Sequence, residues 1–145
     1  MTNVNAWDIV STIAIEHSFP LQQPLLNETS IVFQYYSEME SGGHESLLRW
    51  QYDQMQAMGF MQYKETLLRV LRAIGADEYA AVEDTHLTRC FELYEALEAN
   101  RLAEDVFYEA INAADAAYIA CEDRLRDQLQ HYAELNYEAL RQVVE

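Results

Sequence analysis

The residues best suited to chemistry are acids and histidines, and the first arrangement to weigh is Glu83-x-x-His86. That spacing puts a carboxylate and an imidazole on one helix face, as in di-iron carboxylate bundles. Such bundles need the motif twice and two further inward glutamates. The nearest second copy, Gln128 to His131, lacks its carboxylate. His17, His44 and His131 have no second ligand at helical spacing. His86 and Cys90, four apart, could face one another as a nucleophile and base, but the sequence supplies no orienting third group and no oxyanion site. No Gly-x-Ser-x-Gly, Walker loop or His-Glu-x-x-His occurs. The expectation is no catalysis, no metal and no cofactor, with a carboxylate-metal enzyme centred on Glu83 and His86 as the minor alternative.

What remains is charge. The 145 residues hold 25 acids against 9 lysines and arginines, a net charge of -16. A field of that sign repels nucleic acid and anionic membranes and attracts basic proteins or cations. Between Ile74 and Asp123 stand thirteen acids and two bases, Arg89 and Arg101. Like charges so close on helices destabilise them, which suggests selection for a partner; solubility is the competing explanation. The expected contact surface is Glu92, Glu95, Glu98, Glu104, Asp105, Glu109 and Asp115. Carboxylates three or four residues apart are separated by ~4.5–6 Å along a helix axis. Splayed side chains from such rows approach the spacing of successive phosphates on a DNA strand.

These side chains must be carried by helices. Trp7, Val10, Ile13, Ala14 and His17 trace one face, so a first helix is expected over 6–18, capped by Asn5, with a loop through Pro20 and Pro24. Val32, Tyr35, Tyr36 and Met39 predict a second helix, capped by Asn27 or Thr29 and ended by the only Gly-Gly pair, Gly42-Gly43. Leu47 and Leu48 belong to a third, over 44–52, and 53–59 reads as an irregular link. Tyr63, Leu67, Val70, Leu71 and Ile74 give a fourth, stopped by Gly75. A short fifth is expected over 78–83, and a sixth, capped by Asp84 or Thr85, carries Leu87, Cys90, Phe91, Tyr94 and Leu97. From Phe107 to Val143 the seam permits one long helix or a bend near 120–123. No segment alternates with period two. The reading is all-α, one domain over 1–145 with six to eight helices and Gly42, Gly43 and Gly75 as structural corners. Length is enough for a core without staples. Two cysteines in apolar helical patterns, no signal peptide and no apolar run of membrane-spanning length point to a soluble cytoplasmic protein.

Three stretches resemble the small acidic DNA-mimic protein family, whose helical domain was long filed as one of unknown function. They are Glu40-Ser41-Gly42-Gly43-His44-Glu45-Ser46-Leu47-Leu48, the run Leu67 to Ala80, and the segment from Asp115 and Tyr118 to Tyr132 and Asn136. His44 stands where the family has an aromatic after Gly-Gly, and Trp50 where it has an asparagine. The resemblance implies an all-helical fold, self-association as a homodimer, and a non-catalytic role occupying the DNA-binding face of a transcription regulator. An immunity protein or antitoxin neutralising a basic toxin would present the same acidic face and is the alternative.

Overall fold

The computed structural model describes residues 24–121 and 123–144; the helix expected over 6–18 lies outside them. Among the described residues there are six helices and no strand, so the fold is all-α. They are α1 (Pro24–Met58), α2 (Phe60–Ala73), α3 (Asp77–Glu98), α4 (Glu104–Ile119), α5 (Leu125–Leu135) and α6 (Tyr137–Val144).

Helix α1 is the axis. It starts on Pro24, whose fixed φ and missing N–H suit a first helical position. It packs against each of the other five helices. Ile31, Val32, Phe33 and Tyr35 are all buried, as expected of a helix enclosed on several sides. Helical geometry fails only at Gly42 (φ -157, ψ 17) and Gly43 (φ 72, ψ -156), which divide it into two arms. The Gly43 pair of angles is essentially glycine-only. The predicted corner is therefore there, as a break within one continuous run.

Two expectations needed correcting on either side of that break. Asn27 and Thr29 do not cap the helix but lie within it, and Thr29 is buried against Tyr132 Oη at 2.9 Å. The second arm does not stop near 52: it continues to Met58, because Leu47, Leu48, Gln51 and Met55 form one buried seam. Gln51 hid that seam from a reading based on apolar residues. Gly59, at φ 87, makes the turn into α2.

Helix α2 buries Tyr63, Leu67, Val70 and Leu71 as predicted. At its end Gly75 (φ 84) lets Ala76 N–H reach Leu71 O at 2.7 Å and Gly75 N–H reach Arg72 O at 3.1 Å. That is a Schellman closure, which satisfies carbonyls the last turn leaves open. The same pair of bonds closes α3, where Asn100 takes the left-handed position at φ 59.

The helices expected over 78–83 and from Asp84 onward are one helix, α3. Asp84 and Thr85 are exposed and interrupt nothing, since neither glycine nor proline is present to stop the ladder. This merging places Glu83 in mid-helix, fully buried among Tyr79, Ala80, Leu87 and Cys90. Helix α4 lies along α3 and buries Phe107, Ile111, Ala114 and Tyr118. The C-terminal seam bends after all. It breaks between Ile119 and Leu125, with Asp123 at φ 58, and again at Asn136. Short polar side chains of this kind tolerate the left-handed region. Side chains from all six helices contribute to one core, α6 through the half-buried Tyr137. No described helix is long and apolar enough to cross a membrane.

Candidate functional site

The break in α1 exists around His44. Its backbone N–H, newly freed by the non-helical glycines, donates to Asp115 Oδ1 at 2.9 Å, and its ring Nδ1 lies 2.7 Å from the same oxygen. On the other edge of the ring, Nε2 lies 2.8 and 2.9 Å from the two oxygens of Glu83. Tyr35 completes the set, donating its hydroxyl to Glu83 Oε2 at 2.6 Å. Four residues from α1, α3 and α4 are thereby tied together, with His44, Glu83 and Tyr35 inaccessible to solvent.

Both ring nitrogens face carboxylate oxygens, so the ring satisfies both contacts only as the imidazolium, donating from each. Burial disfavours that charge, yet Glu83, the two side-chain hydrogen bonds and Asp115 outweigh it and push the histidine up to about 9. Burial would likewise raise Asp115, but its bonds from the His44 ring and backbone hold it below the usual aspartate value. Burial, then Glu83, pushes the Tyr35 hydroxyl well above its ordinary range. The arrangement looks like a catalytic histidine flanked by acids and works in the opposite sense. A ring that donates from both nitrogens has no lone pair with which to take a proton from a substrate.

Further rungs fasten the corner to α4. Tyr108 Oη donates to Glu45 at 2.6 Å, and Tyr118 Oη donates to Glu40 at 3.1 Å. With Asp115 these tyrosines share one face of α4, seven and three residues apart. Ser46 Oγ bridges the break itself by donating to Glu38 at 2.8 Å.

The sequence-predicted residues divide between two settings. Glu83 is turned onto His44 and Tyr35, so it does not form a ligand pair with the half-buried His86. Asp115, expected among the contact acids, is a ligand of His44 with a side chain 29% exposed. Glu95 accepts the Tyr52 hydroxyl at 2.8 Å. Glu92, Glu98, Glu104, Asp105 and Glu109 are exposed on α3 and α4, and among the described residues none of these five is ion-paired. Cys90 is buried with Sγ 3.8 Å from Ala110 O, and burial, with Glu83 and Asp115, pushes its thiol up to about 12, far from a reactive thiolate. Gly42 and Gly43 form the corner and Gly75 the α2 terminus. The role of His44 escaped the sequence reading because its ligands lie 39 and 71 residues away.

No protein-family model, curated protein or solved structure matches the chain.

Proposed function

We propose that this chain is a non-catalytic, acidic interaction protein of the DNA-mimic kind, acting in the cytoplasm. It occupies the DNA-binding face of a basic partner such as a transcription regulator. The observation that carries this reading is five exposed carboxylates that have no ion pair among the described residues, in the second half of α3 and the first half of α4: Glu92, Glu98, Glu104, Asp105 and Glu109. Glu104 and Asp105 sit in the first turn of α4, where the helix dipole favours negative charge. Glu92 and Glu98 lie toward the end of α3, where it does not. Their placement there favours a role toward a partner over one in helix stability. Engagement of both nitrogens of the buried His44 supports the non-catalytic half of the reading.

The test is kinetic. A partner recovered by affinity capture is assayed for association and dissociation rates at two salt concentrations, with wild type and a Glu92→Gln/Glu98→Gln/Glu104→Gln variant. Charge complementarity across an exposed interface is screened within about 8–10 Å at physiological ionic strength. Association should therefore slow with salt and in the variant, while dissociation changes less. Displacement of a DNA duplex from the partner by wild type distinguishes mimicry from other basic targets. Salt-independent binding, or a variant that associates as fast as wild type, would remove this surface from the mechanism.

A further inference from the structure

Six aromatic rings form an unbroken row across four helices. Phe60 of α2 stacks on Phe91 of α3, with 4.0 Å between centroids and 10° between planes. Phe91 meets Tyr52 of α1 at 5.8 Å, and Tyr52 meets Tyr94 of α3 at 5.3 Å. Tyr94 leads to Phe107 of α4 at 6.1 Å, and Phe107 to Tyr108 at 5.1 Å. Phe91 and Phe107 are buried and anchor the row in the core. Phe60, Tyr52 and Tyr94 are half-buried and Tyr108 is 38% exposed, so four of the six rings reach the surface.

Carboxylates border the row. Glu95 accepts the Tyr52 hydroxyl at 2.8 Å and Glu45 accepts that of Tyr108 at 2.6 Å, which fixes both rings. Burial and then Glu98 raise the Tyr94 hydroxyl above its ordinary range, with Asp53 and Glu45 acting the same way and Arg49 against them. At Tyr108 the bond to Glu45 comes first and burial second, with Glu104 adding to them. Arg49 is the base within reach, 61% exposed and 4.0 Å from Glu45. One positive charge therefore stands among five negative ones.

We infer that this row is the docking surface for arginine side chains of a basic partner protein, whose guanidinium planes lie on the surface rings and pair with the bordering acids. The acids select a cation and the rings select which one. A guanidinium is planar and weakly hydrated and stacks on an aromatic face, whereas an ammonium is a compact, strongly hydrated charge. An uncharged apolar partner would desolvate the carboxylates without compensating them. A second copy of the chain would bring another net charge of -16 against them. Glu98 and Glu104 belong both to this border and to the acidic surface proposed above, so the two adjoin.

The inference rests on the partner being basic, as proposed above, but its test needs no partner. The full chain is titrated by calorimetry with end-blocked triarginine, trilysine and tricitrulline peptides at low salt. Citrulline keeps the shape of arginine without its charge. Each guanidinium stacked on an exposed ring favours binding by about threefold, so two give about a tenfold preference for triarginine over trilysine. Tricitrulline should not bind. A Tyr94→Leu/Tyr108→Leu variant should bind the two cationic peptides alike, at the affinity wild type has for trilysine. Tyr108→Leu alone, at the most exposed ring, should remove about threefold of the preference, and unchanged trilysine binding reports that the fold is intact. Equal binding of the cationic peptides by wild type, a preference that survives loss of the rings, or binding of tricitrulline would each overturn the row. So would a wild-type dimer in sedimentation that Tyr108→Leu dissociates, since a second copy would then be the occupant. Cationic binding that falls with salt but ignores the rings strikes this inference alone. The acidic surface of α3 and α4 fails separately, on the partner association rates.

Discussion

Gly43 and Asp115 occupy space that neither could yield to a larger neighbour: a Cβ on the glycine would fall 2.7 Å from Asp115 Oδ2 and 2.9 Å from its Cγ. Since Asp115 is held by His44, it cannot swing aside without breaking the buried ion network. Backbone angles add to this, because φ 72 with ψ -156 suits glycine alone. Gly43→Ala should therefore destabilise the fold by more than about 3 kcal/mol, the sum of strain and a disrupted buried pair. Gly59→Ala is the control. Its backbone (φ 87, ψ 127) is likewise outside the regions other residues adopt, but it has nothing within 4 Å, so only the backbone penalty of about 1–3 kcal/mol applies. Urea midpoints of the two variants check this, and equal losses would mean that Asp115 yields readily.

The His44 network should give stability a definite dependence on pH. His44 rises from 6.5 to about 9 on folding, so its contribution is fully present below pH 6.5 and is lost as pH climbs through 9. The shift corresponds to about 3 kcal/mol. Asp115 is shifted down from 3.8, so its contribution is present above that value and is lost as pH falls through its lower folded pKa. The network is thus strongest between about pH 4 and 6.5. Urea unfolding across pH 5 to 10 should show a decline on the alkaline side that a Glu83→Gln variant shares only in part, because losing that carboxylate lowers the histidine pKa. An alkaline limb unchanged by Glu83→Gln would show that His44 is not its source.

How much of this could be read in the chain is instructive at individual positions. Tyr63, Leu67, Val70 and Leu71 announced α2 because burial there follows the helical period with apolar residues only. Gln51 ends the apolar pattern of the α1 seam early, since a buried glutamine carries no apolar signal. Asp84 and Thr85 suggested a cap, yet capping residues are also tolerated at exposed mid-helix positions, and packing of α3 against α2 and α4 decided the matter. The Gly-Gly corner was visible, but what it is for was not. A histidine after two glycines gives no hint that its ligands come from Glu83 and Asp115, because local periodicity carries no information about pairing across helices. For the same reason the sequence alone places Asp115 among the surface acids.

The surviving surface acids make a prediction about stability that does not depend on any partner. Helix α3 sets Glu92, Glu95 and Glu98 at successive steps of three, and among the described residues only Glu95 of the three has a hydrogen-bond partner, Tyr52. Like charges at such spacing repel by a few tenths of a kcal/mol per pair, and the net charge of -16 adds a diffuse repulsion. Neutralising Glu92 and Glu98 together should therefore stabilise the protein at low salt by up to about 1 kcal/mol. That gain should shrink as salt shortens the screening length from about 30 Å at 0.01 M to about 8 Å at 0.15 M. Glu95→Gln should not help, since it weakens the contact from Tyr52. Thermal or urea unfolding of the double variant at both ionic strengths is sufficient. A stabilised variant that also associates more slowly with a basic partner would show acids retained for binding at the expense of the fold. A variant no more stable than wild type would leave solubility as the simpler reason for the charge.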